Sequence, residues 1–376
     1  MAGIYIHIPF CKQKCYYCDF YSTTNLKLKD ELIKSLIIEL ELQKEYLGKE
    51  IINTIYFGGG TPSVLNVNEI KKIIGKIYQI FQVNEKPEIT MEANPDDLNL
   101  NYIKQLSKTH INRLSIGIQS FFNDDLKLMN RRHNANEAVR AVKYCQDKGF
   151  GNISIDLIYG IPDSTTNKWF INLQKSFELD IQHISAYHLT FEPKTVFTNW
   201  LEKGKIKQLN ENISVEQYNL LISETKKTGF INYEISNFGK KNHFSQHNIG
   251  YWADKKYLGI GPSAHSYDKN TRYWNISNVS KYIQYLKNKE LPNETEKLTT
   301  KTKYNEYIMT SLRTMWGADI KIIKEKFSID ILKKYQEINE KYLNTNKIII
   351  SDNKLILTDK GKIIADKIIS EYFLWF

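Results

Sequence analysis

The sequence predicts an α/β fold: six β/α repeats whose parallel strands curl into an open or partial barrel, followed by a small α+β C-terminal unit. Three observations predict it. Short β-branched runs alternate six times with stretches of helical period over residues 4–189, with short connections. Glycine-rich and polar positions collect directly after those runs, where barrel folds gather functional groups. The pattern then changes, and 301–376 reads as helices around one hairpin.

The elements follow in order. Ile4-Tyr5-Ile6-His7-Ile8, closed by Pro9, reads as a buried strand entering a loop. Leu26 to Leu47 has apolar residues at helical spacing and stops at Gly48. Thr54 to Phe57 is the second strand, and Gly58-Gly59-Gly60-Thr61-Pro62 follows at once. A helix over Val67 to Phe81 leads to the third strand, Glu88 to Glu92, which ends in Ala93-Asn94-Pro95. A helix over Leu100 to Leu106 precedes the strand Arg113 to Ile118. Helices at Asp124 to Met129 and Ala135 to Lys148 precede the strand Ile153 to Ile158. A helix at Asn167 to Phe177 leads to the sixth strand, His183 to Leu189. The barrel is thus expected over 1–235, and an irregular connecting segment rich in Gly, His, Asn and aromatic residues over 236–300. In 301–376, a helix over Lys303 to Trp316, a hairpin turning at Asp352-Asn353 and a helix over Gly361 to Phe373 suggest a winged-helix-like domain.

Composition narrows the function. The chain of 376 residues is long enough for a large core and a second, smaller domain. The net charge is +10, yet only six of the 52 basic residues are Arg. Lys is scattered among Asn and Ile instead of forming a stripe beside aromatics, which argues against specific nucleic-acid binding. Weak attraction to an anionic membrane surface is compatible with the charge. No window approaches 18 uninterrupted apolar residues, so no transmembrane helix is expected. The chain starts almost directly on a strand, so neither a signal peptide nor a transit peptide is expected. With the cysteine-rich loop described next, this points to a reducing cytoplasm.

Three of the four cysteines, Cys11, Cys15 and Cys18, lie within eight positions at the end of the first strand. A disulfide framework wants an even count along a small secreted chain. A closed zinc site wants four ligands, usually as two separated pairs. Cys-x3-Cys-x2-Cys offers three thiolates, which suits a four-iron cluster held at three corners with one iron open to a small molecule. Cys145 sits in a helical run without a cysteine partner at ligand spacing and reads as a small hydrophobe.

Cys11, Cys15 and Cys18 match the cluster motif of the radical S-adenosylmethionine superfamily. The wider string, from His7-Ile8-Pro9-Phe10 to Cys18-Asp19-Phe20, resembles the branch of oxygen-independent coproporphyrinogen III oxidases and HemW-type heme chaperones. The resemblance runs from Tyr5 through the C-terminal helices and implies a partial (β/α)6 radical S-adenosylmethionine barrel. It implies a 4Fe-4S cluster whose open iron chelates the amino and carboxylate groups of S-adenosylmethionine. An electron from that cluster can cleave the sulfonium to give a 5′-deoxyadenosyl radical. It further implies cofactor-binding roles for Tyr5, Tyr17, Gly59, Gly60, Thr61, Glu92, Gln119, Arg131 and Asp156. The residue chemistry is compatible. Successive glycines let backbone approach a ligand, and their carbonyls with the Thr61 hydroxyl suit an ammonium group. A carboxylate such as Glu92 suits a ribose diol or an ammonium donor, and the fork of Arg131, neighbour of Arg132, suits a carboxylate. In the coproporphyrinogen branch, a second S-adenosylmethionine site is associated with some of Gln119, Arg131 and Asp156.

Two features choose between the branches. Where the oxidases carry a further cysteine two residues after the third, this chain has Phe20, and only three residues precede Ile4 where the oxidases carry an N-terminal segment. His247-Asn248-Ile249-Gly250-Tyr251-Trp252 matches the His-Asn-x-x-Tyr-Trp motif of the chaperones. The resemblance therefore implies heme binding by His247, Asn248, Tyr251 and Trp252, since a neutral imidazole can ligate heme iron and aromatics suit a porphyrin plane. His243 and His265 are nearby alternatives for the iron ligand. The expected function is a heme chaperone that passes heme to acceptor hemoproteins, including membrane-bound respiratory enzymes. The alternatives are a radical decarboxylase of coproporphyrinogen III and a radical enzyme on another substrate.

Overall fold

Six strands, β1 (Ala2–Ile8), β2 (Ile52–Gly59), β3 (Val83–Ala93), β4 (Arg113–Gln119), β5 (Ile153–Tyr159) and β6 (His183–His188), form the heart of the molecule. The computed structural model describes residues 2–375. The six strands lie side by side in chain order, all parallel. Their near-continuous apolar runs suit strands covered on both faces, and all seven residues of β4 are buried. The crossover helices start on clear signals. Asn66 with Glu69, and Asn134 with Glu137, form reciprocal capping boxes. Cys145 is fully buried in the helix Ala135–Asp147, as its isolation in the sequence suggests.

The stretch 236–300 is not irregular. After β7 (Ile231–Glu234) it supplies β8 (Asn237–Gly239), β9 (Tyr257–Ile260), β10 (His265–Tyr267), β11 (Thr271–Asn275) and β12 (Asn293–Lys297). These extend the central sheet to twelve strands in the order β12-β11-β10-β9-β1-β2-β3-β4-β5-β6-β8-β7. β9 pairs parallel with β1, placing Gly3 opposite Tyr257 and Ile6 opposite Ile260. The late strands are short and carry few β-branched residues, which is why a two-residue period does not disclose them.

Buried Glu39, in the helix Lys29–Leu42, fastens this late segment to the early one. It accepts hydrogen bonds from Gly261 N (2.8 Å) and Asn275 Nδ2 (2.6 Å), and from the hydroxyl of Tyr282. That helix ends at Leu42 instead of reaching Leu47, and the residues before Gly48 form turns.

The C-terminal part has its own core, built on Tyr304, Ile308, Leu312, Ile323, Leu355 and Ile368. Its sheet of β13 (Ala318–Asp319), β14 (Ile348–Ser351) and β15 (Lys354–Leu357) has the order β13-β15-β14. Asp352 and Asn353 take φ of 49° and 62°, the left-handed pair a two-residue hairpin turn requires. The closing helix breaks into Asp359–Lys362 and Ala365–Glu371.

Candidate functional site

The loop after β1 carries the three cysteines and is stitched to the chain following β4. Cys11 N donates to Thr23 O (3.0 Å) and Tyr16 N to Met129 O (3.2 Å). Gln13 Nε2 donates to both Asn130 O and Asn130 Oδ1 at 2.9 Å, and Asn130 Nδ2 returns a hydrogen bond to Lys14 O (2.8 Å). Lys12 pairs with Asp97, which also accepts from Ser63 Oγ (2.7 Å). Two of the sulfurs have donors of their own. Thr61 Oγ1 lies 3.3 Å from Cys11 Sγ, and Arg131 Nη1 lies 3.2 Å from Cys15 Sγ. Burial pushes the Cys11 thiol up, against the Thr61 hydrogen bond, and pushes Cys18 up to about 11. Ligation must therefore displace these thiol protons.

Among the described residues, no three His, Cys, Asp or Glu side chains converge as they would on a single ion.

The glycines after β2 are demanded first by the fold. A Cβ on Gly60 would come within 2.8 Å of Phe10 O, and one on Gly59 (φ 109°) within 2.6 Å of the His7 ring. This close packing lets Gly60 N donate to Ile8 O and Thr61 N to Phe10 O, both at 2.8 Å, which holds Thr61 against the cysteine loop. Glu92, at the end of β3, accepts from Tyr56 Oη (2.9 Å) and Gly59 N (3.2 Å). Burial, then the neighbouring Asp156, push its carboxyl up to about 7. Burial also raises Asp156, which accepts from Ser115 Oγ at 3.1 Å. Arg131 spans the site: Nη2 donates to Asn94 Oδ1 (2.6 Å) and Gly117 O (2.7 Å). Burial works against its charge, but Tyr17 and Cys15 hold it protonated, and its buried Nε has no partner among the described residues.

These groups meet in one cavity of about 1030 Å³. Cys11, Cys15, Cys18, Tyr17, Gly59, Gly60, Thr61, Glu92, Gln119, Arg131 and Asp156 all line it, while Tyr5 does not. Gln119 holds a left-handed backbone, φ 69°, at the strand exit. Sequence reasoning missed much of the opposite wall. Arg313, Lys362, Ile364 and Lys367 bring the C-terminal unit onto the cavity, and Tyr187, His188 and Tyr218 line its flank. The buried Nε2 of His188 has no hydrogen-bond partner among the described residues, and burial lowers the ring's pKa. The one available signal for His188 was its place at the end of the sixth strand.

The His-Asn-x-x-Tyr-Trp residues lie elsewhere. They form the helix Gln246–Trp252, which caps the amino-terminal ends of the strands, opposite the cysteine loop. His247 is 3% exposed. Its Nδ1 is hydrogen-bonded to Thr54 Oγ1 (2.8 Å) and its Nε2 to Tyr251 Oη (2.9 Å). Burial holds it neutral, with a pKa lowered to about 3. Both ring nitrogens are thus hydrogen-bonded within the protein. Asn248 N donates to Ser245 Oγ (3.4 Å), and the buried Trp252 Nε1 has no partner among the described residues. His265 is exposed and stacks on Trp274, with ring centroids 5.9 Å apart. Neither His243 nor His265 lines the cavity beside the cysteine loop.

No helix among the described residues is long and apolar enough to cross a membrane. Residues 5–169 match the family model described as the radical SAM superfamily. The heme chaperone HemW of Bacillus subtilis (strain 168) is 35% identical over 331 residues, 87% of each chain. The heme chaperone HemW of Lactococcus lactis subsp. lactis is 36% identical over 338 residues, 89% of this chain and 87% of that one. Among solved structures, coproporphyrinogen III oxidase (HemN) of Escherichia coli superposes with a TM-score of 0.86, over all of this chain and 90% of that one. At 21% identity it shows the shared fold and no more. With the cysteine loop, the six-repeat sheet and the two relatives matched over most of their length, the chain belongs to the HemW heme chaperone family of the radical SAM superfamily.

Proposed function

We propose that this chain holds a 4Fe-4S cluster on Cys11, Cys15 and Cys18, binds S-adenosylmethionine in the cavity beside them, and takes up heme for delivery to acceptor hemoproteins in the cytoplasm. The observation that carries the reading is the convergence of the three cysteines with Thr61, Glu92, Gln119, Arg131 and Asp156 on one cavity. The residues fit the groups. A hydroxyl and a guanidinium already donate to two of the sulfurs, as an anionic cluster requires. Arg131, whose buried Nε has no partner among the described residues, offers a guanidinium suited to a carboxylate, and Glu92 and Asp156 offer carboxylates suited to an ammonium or a ribose. When bound, the cluster would supply an open iron and a single electron. The chain's own part is to hold, orient and enclose: the cysteine loop is anchored on Asn130, and the C-terminal unit walls the cavity against water.

The heme part of the reading is supported by the family's chaperones and by Phe20, which is 67% exposed where the oxidases have a cysteine. Iron ligation by His247 asks the ring to give up its bond to Thr54 or Tyr251. His188 also lines the cavity, but its Nε2 is buried against Gly160, so ligation through that atom asks its ring to turn. The acceptors are hemoproteins, membrane-bound respiratory enzymes among them.

The test uses anaerobically reconstituted protein. Hemin is titrated against wild type, His247→Ala and His188→Ala while the Soret band is followed. The same preparation receives coproporphyrinogen III, S-adenosylmethionine and a reductant. Saturable heme binding that one histidine variant weakens, with no decarboxylated product, supports the chaperone. Product formation with no heme binding overturns it in favour of the oxidase.

A further inference from the structure

The base of the barrel is connected to the cofactor cavity through one aromatic side chain. The helix Gln246–Trp252 sits against Gly3 and Thr54, near the starts of β1 and β2, and against Glu88 of β3, around a cleft of about 450 Å³. Its His247 ring points into the barrel and stacks on Tyr56, with centroids 5.0 Å apart and planes at 26°. Tyr5 stacks on the same tyrosine at 6.1 Å. Tyr5 also stacks on His247 at 6.4 Å, so the three rings form a cluster in which His247 is the nearer neighbour of Tyr56. The Tyr56 phenol is aimed along the barrel at Glu92, 2.9 Å away. The other oxygen of Glu92 takes Gly59 N at 3.2 Å, in the loop that lines the cavity. The imidazole is itself fixed, by Thr54 on one nitrogen and Tyr251 on the other.

We propose that His247 is a positioning residue for S-adenosylmethionine: it sets the Tyr56 ring, and Tyr56 sets the Glu92 carboxylate at the cavity wall. The proposal rests on the reading that this cavity binds S-adenosylmethionine. It gives the His-Asn-x-x-Tyr-Trp helix a role that needs no open coordination position. Ser245 caps the helix, Tyr251 locks the imidazole, and the result is delivered one layer up, at Glu92. Without His247, Tyr56 loses its nearer ring neighbour, and Tyr5 loses a ring contact of its own. The phenol can then swing, and the buried carboxylate loses a fixed donor.

The test is equilibrium dialysis of labelled S-adenosylmethionine against the reconstituted full-length protein. Wild type is compared with His247→Ala, Tyr56→Phe and the double variant, with iron content and melting profile recorded for each. Each single variant is expected to raise Kd about tenfold at unchanged iron content, the scale of one hydrogen bond to a buried charge. The double variant is expected to be no worse than either single, because both act on the same phenol–carboxylate contact. A merely structural role would lower iron content and affinity together. Tyr56→Phe keeps the ring and its stacking, so it decides the matter even if His247→Ala folds poorly. Affinity within about twofold of wild type in Tyr56→Phe, or multiplying effects in the double variant, overturns the proposal. Wild-type protein that keeps its cluster yet does not bind S-adenosylmethionine overturns the reading of the cavity itself.

Discussion

Arg131 and Cys15 form a direct contact across 116 residues of sequence, with Nη1 3.2 Å from Sγ. The same guanidinium reaches Asn94 and Gly117, so one side chain ties the cysteine loop to the ends of two strands. A lysine carries the charge but cannot serve three acceptors in fixed directions. Arg131→Lys is expected to weaken S-adenosylmethionine binding about 10- to 100-fold and to lower retained iron, as loss of an outer-shell partner does. Dialysis and iron analysis of the reconstituted variant check both.

Glu92 gives the site a pH dependence near neutrality. Its carboxyl is pushed up to about 7, chiefly by burial. If the carboxylate form receives the cofactor's cationic or hydroxyl groups, affinity rises with pH up to about 7, by as much as about tenfold per unit below that value. Glu92→Gln should bind more weakly and show a flat profile. A wild-type profile flat from pH 5.5 to 8 would remove Glu92 from the binding contacts.

The fold should be acid-sensitive. Burial lowers His7 to about 4, and His133 and His247 to about 3. Each has a folded pKa below the value of about 6.5 in an unfolded chain. Between these values the unfolded state binds protons that the folded state refuses, so stability falls as pH drops from about 6.5 toward 3. Glu39 acts in the opposite sense. Burial raises it to about 7, above its unfolded value near 4.5, so its stabilising contribution is complete below that value and is lost as pH rises through about 7. Melting curves from pH 4 to 9 should show both limbs, and Glu39→Gln should reduce the alkaline one, to which Glu92, raised likewise, also contributes.

The base helix depends on a carboxylate from β3. Glu88 accepts from Gln246 N and His247 N, both at 3.0 Å. Glu88→Ala leaves two first-turn donors unpaired and should cost about 1 kcal/mol, like the loss of an N-cap. Faster hydrogen exchange confined to 246–252 and the start of β2 would show it. Exchange unchanged there would mean that the helix is held by its aromatic residues alone.

The repeats and the cavity residues at the strand exits were legible because each carries a local signature. Apolar runs mark β1 to β6, and Cys11, Gly59 and Glu92 fall directly at strand exits. Glu39 gave no such signal, because a helical Glu reads as solvated until Asn275 and Tyr282 arrive from far along the chain. The same limit hid β8 to β12, whose pairing is decided by the strands they meet. It also hid the surroundings of His247. The motif was readable, but the burial that occupies both ring nitrogens is a tertiary fact.

The return of β9 to the far side of β1 bears on how the protein is made. β1 precedes every other described strand, yet one of its two neighbours is 257–260, and the histidine sealing the base under it is residue 247. Until then the nascent sheet presents an unpaired, strongly apolar strand, the surface on which chains adhere to one another. A fragment ending at residue 235 would keep every cavity residue up to Asp156 and still lack that partner. Its expected fate is aggregation, and expression of fragments ending at 235 and at 300, compared for solubility, would show it.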